Sequence, residues 1–139
     1  MKNLFAILIA ASLTAGAIAG ETPAPEGASV YFVELKDGMT VTSPVVVRFG
    51  LSGMGVAPAG TEVDHTGHHH LLIDAVLEGE ALDEPVPSDE NHRHFGGGQT
   101  EVSLELTPGT HTLQLLLGDW SHIPHNPPVM SDQITITVE

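Results

Sequence analysis

Apolar and polar side chains alternate with a period of two along much of the chain. In "VVVRFGLSG" (residues 45–53), Val45, Val47, Phe49 and Leu51 share one face and Arg48 takes the other. In "TEVSLEL" (100–106), Val102, Leu104 and Leu106 alternate with Glu101, Ser103 and Glu105. "HTLQLLLG" (111–118) aligns Leu113, Leu115 and Leu117, and "DQITITVE" (132–139) aligns Ile134, Ile136 and Val138. "HHHLLIDAVL" (68–77) places Leu71, Ile73, Ala75 and Leu77 together. "SVYFVEL" (29–35) and a weaker "MTVTS" (39–43) complete the set. This is strand spacing, because successive side chains of a strand point to opposite faces. Glycine and proline punctuate the runs, and nothing beyond residue 20 has helical periodicity. About seven such strands predict an all-β domain, an immunoglobulin-like antiparallel β-sandwich spanning 29–139. The chain has no cysteine, so the inter-sheet disulfide of antibody domains is absent and only the architecture is implied.

The connections sharpen this picture. "TPGT" is a short turn and predicts that 100–106 and 110–118 form an antiparallel hairpin. Three other connections, 54–67, 78–99 and 119–130, are longer than turns. Loops of that length in a small domain usually carry function.

The first twenty residues, "MKNLFAILIAASLTAGAIAG", read differently from the rest. Lys2 precedes an apolar stretch, and Ala17 and Ala19 flank a small-x-small cleavage pattern. This is the layout of a cleavable signal peptide over 1–20, cut near Ala19-Gly20, and it predicts a periplasmic or secreted protein. Residues 21–28, "ETPAPEGA", are expected to form a flexible Pro-rich leader. After cleavage, Lys36, Arg48 and Arg93 stand against 18 acidic residues. That balance argues against nucleic acid and anionic lipid as partners, and no membrane insertion is expected once the signal is gone. It suits a metal ion or another exported protein of cationic character.

The candidate chemistry lies in nine histidines. His68 and His70 are two apart on a predicted strand and so share a face, whereas His69 joins the core residues Leu71 and Ile73. His92 and His94 repeat the spacing in "NHRHFGGGQT". His122 and His125 sit in the proline-rich "DWSHIPHNPPVM". The predicted hairpin brings the segment holding His94 beside that holding His122 and His125. The long 78–99 connection, at about 3.3 Å per residue, can recross the sandwich and bring His68 and His70 to the same end. The expected arrangement is His68, His70, His94 and His125 facing one pocket, with His92 and His122 as substitutes or supporting groups. Asp119, Asp64 and Met130 border these loops as supporting partners. His111 opens its strand at the other end and reads as a satisfied rim histidine.

Clustered imidazoles without thiolate suit a divalent transition metal such as copper or zinc, and the absence of cysteine excludes a blue-copper centre. No catalytic motif is present: G-x-S-x-G and H-E-x-x-H are missing, and Asp119, Ser121 and His122 are too close in sequence for triad geometry. The glycines of "HFGGGQT" lack the Lys-Ser/Thr that completes a phosphate-binding loop.

The blocks "GHHHLLID", "HFGGGQTE", "PGTHTLQLLLGD" and "HIPHNPPVMSDQITITV" together resemble the bacterial family known as domain of unknown function 4399. The resemblance covers nearly the whole chain beyond the signal. It implies a small exported β domain with the histidine segments as its recognisable blocks, and it brings no ligand. The sequence thus points first to an exported metal-binding module, active in delivery, sequestration or sensing. An interaction domain whose histidines order its loops comes second, and a metal-dependent enzyme third.

Overall fold

A computed structural model describes residues 22–139; the expected signal segment lies outside them. Among the described residues the domain is all-β, with nine strands and a single 3-10 turn at Gly79–Asp83. The strands are β1 (Ser29–Val33), β2 (Thr40–Val41), β3 (Val45–Ser52), β4 (Gly55–Val56), β5 (Thr66–Ile73), β6 (His92–His94), β7 (Glu101–Leu104), β8 (Gly109–Gly118) and β9 (Ile134–Val138). One sheet has the order β1-β3-β7. The other runs β2-β9-β8-β5-β4, with β6 also paired to β5. Pairing between these strands is antiparallel except for two short contacts, β2 with β9 and β4 with β5.

The sandwich core is the sum of the alternating faces. Val30, Val45, Val47, Phe49 and Leu104 of the first sheet meet Leu71, Ile73, Leu113, Leu115, Leu117, Ile134, Ile136 and Val138 of the second. The outer face of the first sheet is open, and Tyr31 and Val46 are exposed there. The second sheet differs. Its outer face at β5 and β8 is roofed by the connections 74–91 and 119–130. Leu72 and Leu116 pack there with Leu77 and Val86, and with the half-buried Met130. Burial on both faces explains the uninterrupted "HHHLLI" and "LLL" runs, since such strands lose their alternation.

Two expectations need correction. The hairpin across "TPGT" does not form: β7 pairs with β3, whereas β8 pairs with β5 and β9. The turn carries the chain across the core from one sheet to the other. Strand β5 ends at Ile73 rather than Leu77, because Asp74 turns into the left-handed region (φ 52°) and donates its N–H to the Thr112 carbonyl. The start of the leader makes backbone hydrogen bonds to the rest of the domain. Ala24 N–H donates to the Asn126 carbonyl and Asn126 N–H to that of Thr22, so these backbone bonds hold residues 22–24 against the 119–130 loop.

Candidate metal centre

The centre begins with the register of β5. His68 lies opposite Gly118 and His70 opposite Leu116 of β8, while His70 also lies opposite His94 of β6. Because β5 and β8 run antiparallel, the start of β5 meets the end of β8 and the loop that follows it. That loop makes a tight turn around Asp119. One Asp119 carboxylate oxygen accepts from the N–H groups of Ser121 (2.8 Å) and Ile123 (3.0 Å) and from the Ser121 hydroxyl (2.8 Å). The other accepts from the Thr22 hydroxyl (2.6 Å). Burial alone would raise the pKa of Asp119, but these hydrogen bonds hold its carboxyl below the usual carboxylate range. The turn sets His122 at a φ of 72°, a left-handed conformation in which histidine is one of the better tolerated residues. It also swings the His122 ring back over β5.

Four rings therefore converge on the outer face of the second sheet. Ring-centre separations are 4.7 Å for His68–His70, 5.0 Å for His68–His94 and 5.0 Å for His68–His122. They are 5.2 Å for His70–His94, 6.2 Å for His70–His122 and 4.6 Å for His94–His122. The Nε2 atoms of His68 and His94 are 3.2 Å apart. One nitrogen from each of His68, His94 and His122 falls within a 4.8 Å set. His68 and His70 are fully buried, His122 is half-buried and His94 is exposed. The cluster thus has a buried floor on a stiff strand and a rim open to solvent.

Glycines make the room. A Cβ at Gly118 would sit 2.6 Å from Cε1 of His70, and one at Gly96 would sit 2.3 Å from Cε1 of His94. Both positions exclude a side chain so that a ring can lie against the backbone.

The protonation states follow from burial. Desolvation, reinforced by the neighbouring rings, pushes His68 down to about 4 and His70 to about 3. Desolvation and His122 lower His94 as well. These imidazoles are neutral bases at neutral pH, which is the form that binds a metal. Nδ1 of His68 and both ring nitrogens of His70 are buried with no hydrogen-bond partner. An unpaired buried polar atom costs about 1–3 kcal/mol, so this side of the sheet carries an unmet demand for a partner.

The other histidines are placed differently. His125 is buried but turned away, with Nε2 3.1 Å from the Thr66 carbonyl oxygen. His92 is bound by Asp89, Nδ1 to Oδ1 at 2.8 Å. The structure thus exchanges His125 for His122 in the expected set, and it keeps His92 outside. His122 and His125 lie three positions apart in an irregular loop, where no periodicity tells which one turns inward. The Asp119 turn decides it. Asp64 is exposed and lies with Asp119 and Trp120 along a neighbouring groove. Met130 packs on the Leu72–Leu116 cluster. His111 is indeed a rim residue, held by Asp74 and the Thr107 carbonyl. His69 faces the core, 5.1 Å from the Phe49 ring centre, with both nitrogens unpaired and its pKa pushed to about 4 by burial. Nothing in the structure explains why an imidazole stands at that position.

Residues 47–139 match the family described as Domain of unknown function (DUF4399). The chain belongs to this family. The DUF4399 match takes in all four converging histidines and both glycines that accommodate their rings. No curated protein and no solved structure matches the chain.

Proposed function

We propose that this DUF4399 domain is an exported metal-binding module that holds a copper or zinc ion at His68, His94 and His122, for delivery, sequestration or sensing. The observation that carries the reading is the convergence of three imidazole nitrogens over buried, unpartnered ring nitrogens. In a tetrahedral site with metal–nitrogen bonds of about 2.05 Å, ligand nitrogens sit about 3.3 Å apart. The His68–His94 pair at 3.2 Å already has that spacing. Histidines that serve only to order loops look different here. His92, His111 and His125 each have a protein acceptor within 3.1 Å. The converging group has only its own members. Holding fits better than turnover, because Asp119, whose charge reaches His68, spends one carboxylate oxygen on the turn and the other on the Thr22 hydroxyl, leaving none for a reacting group.

Export rests on the first twenty residues and places the site where free metal must be captured or passed on. Intact mass of protein recovered from an expressing bacterium tests this arm. A chain starting near Gly20 in the periplasmic fraction supports it, and full-length chain in the cytoplasm contradicts it. The metal arm is tested by calorimetric titration of untagged protein with Zn(II), Cu(II) and Ni(II). One equivalent bound by the native chain, and none by His68→Ala, is the expected result. Equal binding by both would remove His68 from the site.

A further inference from the structure

The three nitrogens closest to one another do not exhaust the site. His70 is fully buried, and neither of its ring nitrogens has a partner. It lies two residues from His68 on the same face of β5, and Gly118 is shaped around its ring. The backbone contact to His68 that opposes the lowering of the His70 pKa is too poor in geometry to satisfy either ring nitrogen, and a leucine would fill the space at lower cost in desolvation.

The spacing of the rings supplies a reason. Take four imidazoles bound through one nitrogen each at about 2.0–2.1 Å to one tetrahedral ion, with each ring centre about 1.1 Å beyond its nitrogen. Their ring centres then fall about 5.2 Å apart. Among His68, His70, His94 and His122, five of the six ring-centre separations lie between 4.6 and 5.2 Å. The sixth, His70–His122, is 6.2 Å. The ring centres occupy the corners of a slightly stretched tetrahedron; no His70 nitrogen falls within the 4.8 Å set of the other three, so this ring must turn about its Cβ–Cγ bond to present one.

We propose that His70 is the fourth ligand, and that the site is a closed four-imidazole cage for one tetrahedral cation, with no coordinated water. This rests on the metal-binding reading above and fixes its character. A closed sphere holds an ion and offers no open position for catalysis. Four neutral nitrogens in a tetrahedron suit ions with no d-electron preference for a square plane, namely Zn(II) or Cu(I), over Cu(II) and Ni(II). The buried pair on β5 forms the floor, and the exposed His94 with the half-buried His122 forms the rim through which the ion enters.

Co(II) is the probe, because its visible spectrum reports coordination number. Native untagged protein with one equivalent of Co(II) should show the intense bands of a four-coordinate ion. Adding azide should leave them unchanged, since no water is there to displace. The variant His70→Gln should lose more than about 100-fold in Zn(II) affinity, beyond the 10–100-fold typical of losing a neighbour that merely orients a ligand. Its Co(II) bands should become sensitive to azide. Weak five- or six-coordinate bands in the native protein, or bands shifted by azide, would overturn the cage while leaving a three-histidine site standing. Retained affinity in His70→Gln would do the same. If His70→Gln fails to fold, the native Co(II) spectrum with and without azide decides alone. No binding of Zn(II) or Co(II) by the native protein would sink both the cage and the metal-binding reading.

Discussion

Replacing Gly118 with alanine should destabilise the metal-free domain by about 1–2 kcal/mol, and the cause should be His70 alone. A Cβ at this position would lie 2.6 Å from Cε1 and 3.0 Å from Nδ1 of His70, and 3.4 Å from Cα of His122. The backbone there is ordinary strand, so the methyl group brings no conformational strain. Reduced freedom of the unfolded chain even returns about 0.4–1 kcal/mol. Against that stands the cost of forcing a methyl into a packed site, about 1–3 kcal/mol. His70 is fully buried between β8 and the rings of His68 and His94, so it cannot swing clear. For a domain of this size each kcal/mol moves Tm by about 4 °C, so the expected drop is about 4–8 °C. The same change made on a His70→Ala background should be neutral or stabilising, because the methyl enters vacated space. The double-mutant cycle should therefore give a coupling of about 1.5–3 kcal/mol, at the upper end for residues in contact. Thermal and urea unfolding of the four proteins, followed by circular dichroism without metal, make the measurement. A Gly118→Ala protein with unchanged or raised Tm, or equal shifts on both backgrounds, would refute the placement of the His70 ring.

Other consequences are open to direct measurement. The His111–Asp74 pair (2.7 Å) has a raised histidine pKa, caused first by the hydrogen bond to Asp74, and a carboxyl lowered by the bond to His111 against the opposing effect of burial. Its contribution is present between the unfolded carboxylate pKa near 4 and the unfolded histidine pKa near 6.5. It is lost as pH rises through the folded pKa of His111 and as pH falls through that of Asp74. As a pair at the surface, with Asp74 open to solvent, it is worth at most about 1 kcal/mol. Asp74→Asn should flatten the fall in stability between pH 6 and 8, and an unchanged slope would dismiss the pair. Asp119→Ala removes the acceptor for four donors and should cost about 2–3 kcal/mol as well as weaken Zn(II) binding through His122; full metal affinity in a folded variant would separate the turn from the site. Leu115→Ala, in the middle of the core, should cost about 2–5 kcal/mol by denaturant titration, whereas a value under 1 would contradict the packing of the two sheets.

The sequence shows some of these features plainly and conceals others for identifiable reasons. Period-two spacing placed His68 and His70 on one face and His69 with Leu71 and Ile73, as the structure has them, because alternation along a strand is local geometry. The same alternation is blind to whether consecutive strands lie side by side or face each other across the core. The segments flanking "TPGT" therefore looked like a hairpin, although β7 and β8 belong to different sheets. His94 still meets His122, but through β6 pairing with β5 and the Asp119 turn rather than through a hairpin. A signal for the roof over the second sheet was present in Leu116, an apolar residue on the supposedly outer face of β8. The run Leu115-Leu116-Leu117 marks a strand buried on both sides. The choice of His122 over His125 left no such mark, since it depends on which backbone groups one buried carboxylate collects.

The most direct test of the central claim is the thermal stability of the untagged domain with and without Zn(II). Binding to the folded state alone should add about 2.7 kcal/mol when free Zn(II) is a hundredfold above its dissociation constant. A rise in Tm of about 10 °C is therefore expected for the native protein and for His111→Ala. His68→Ala combined with His70→Ala should show no rise. If the native protein gains no stability from Zn(II) or Cu(I), or if the double variant gains as much as the native protein, the converging histidines are not a metal centre.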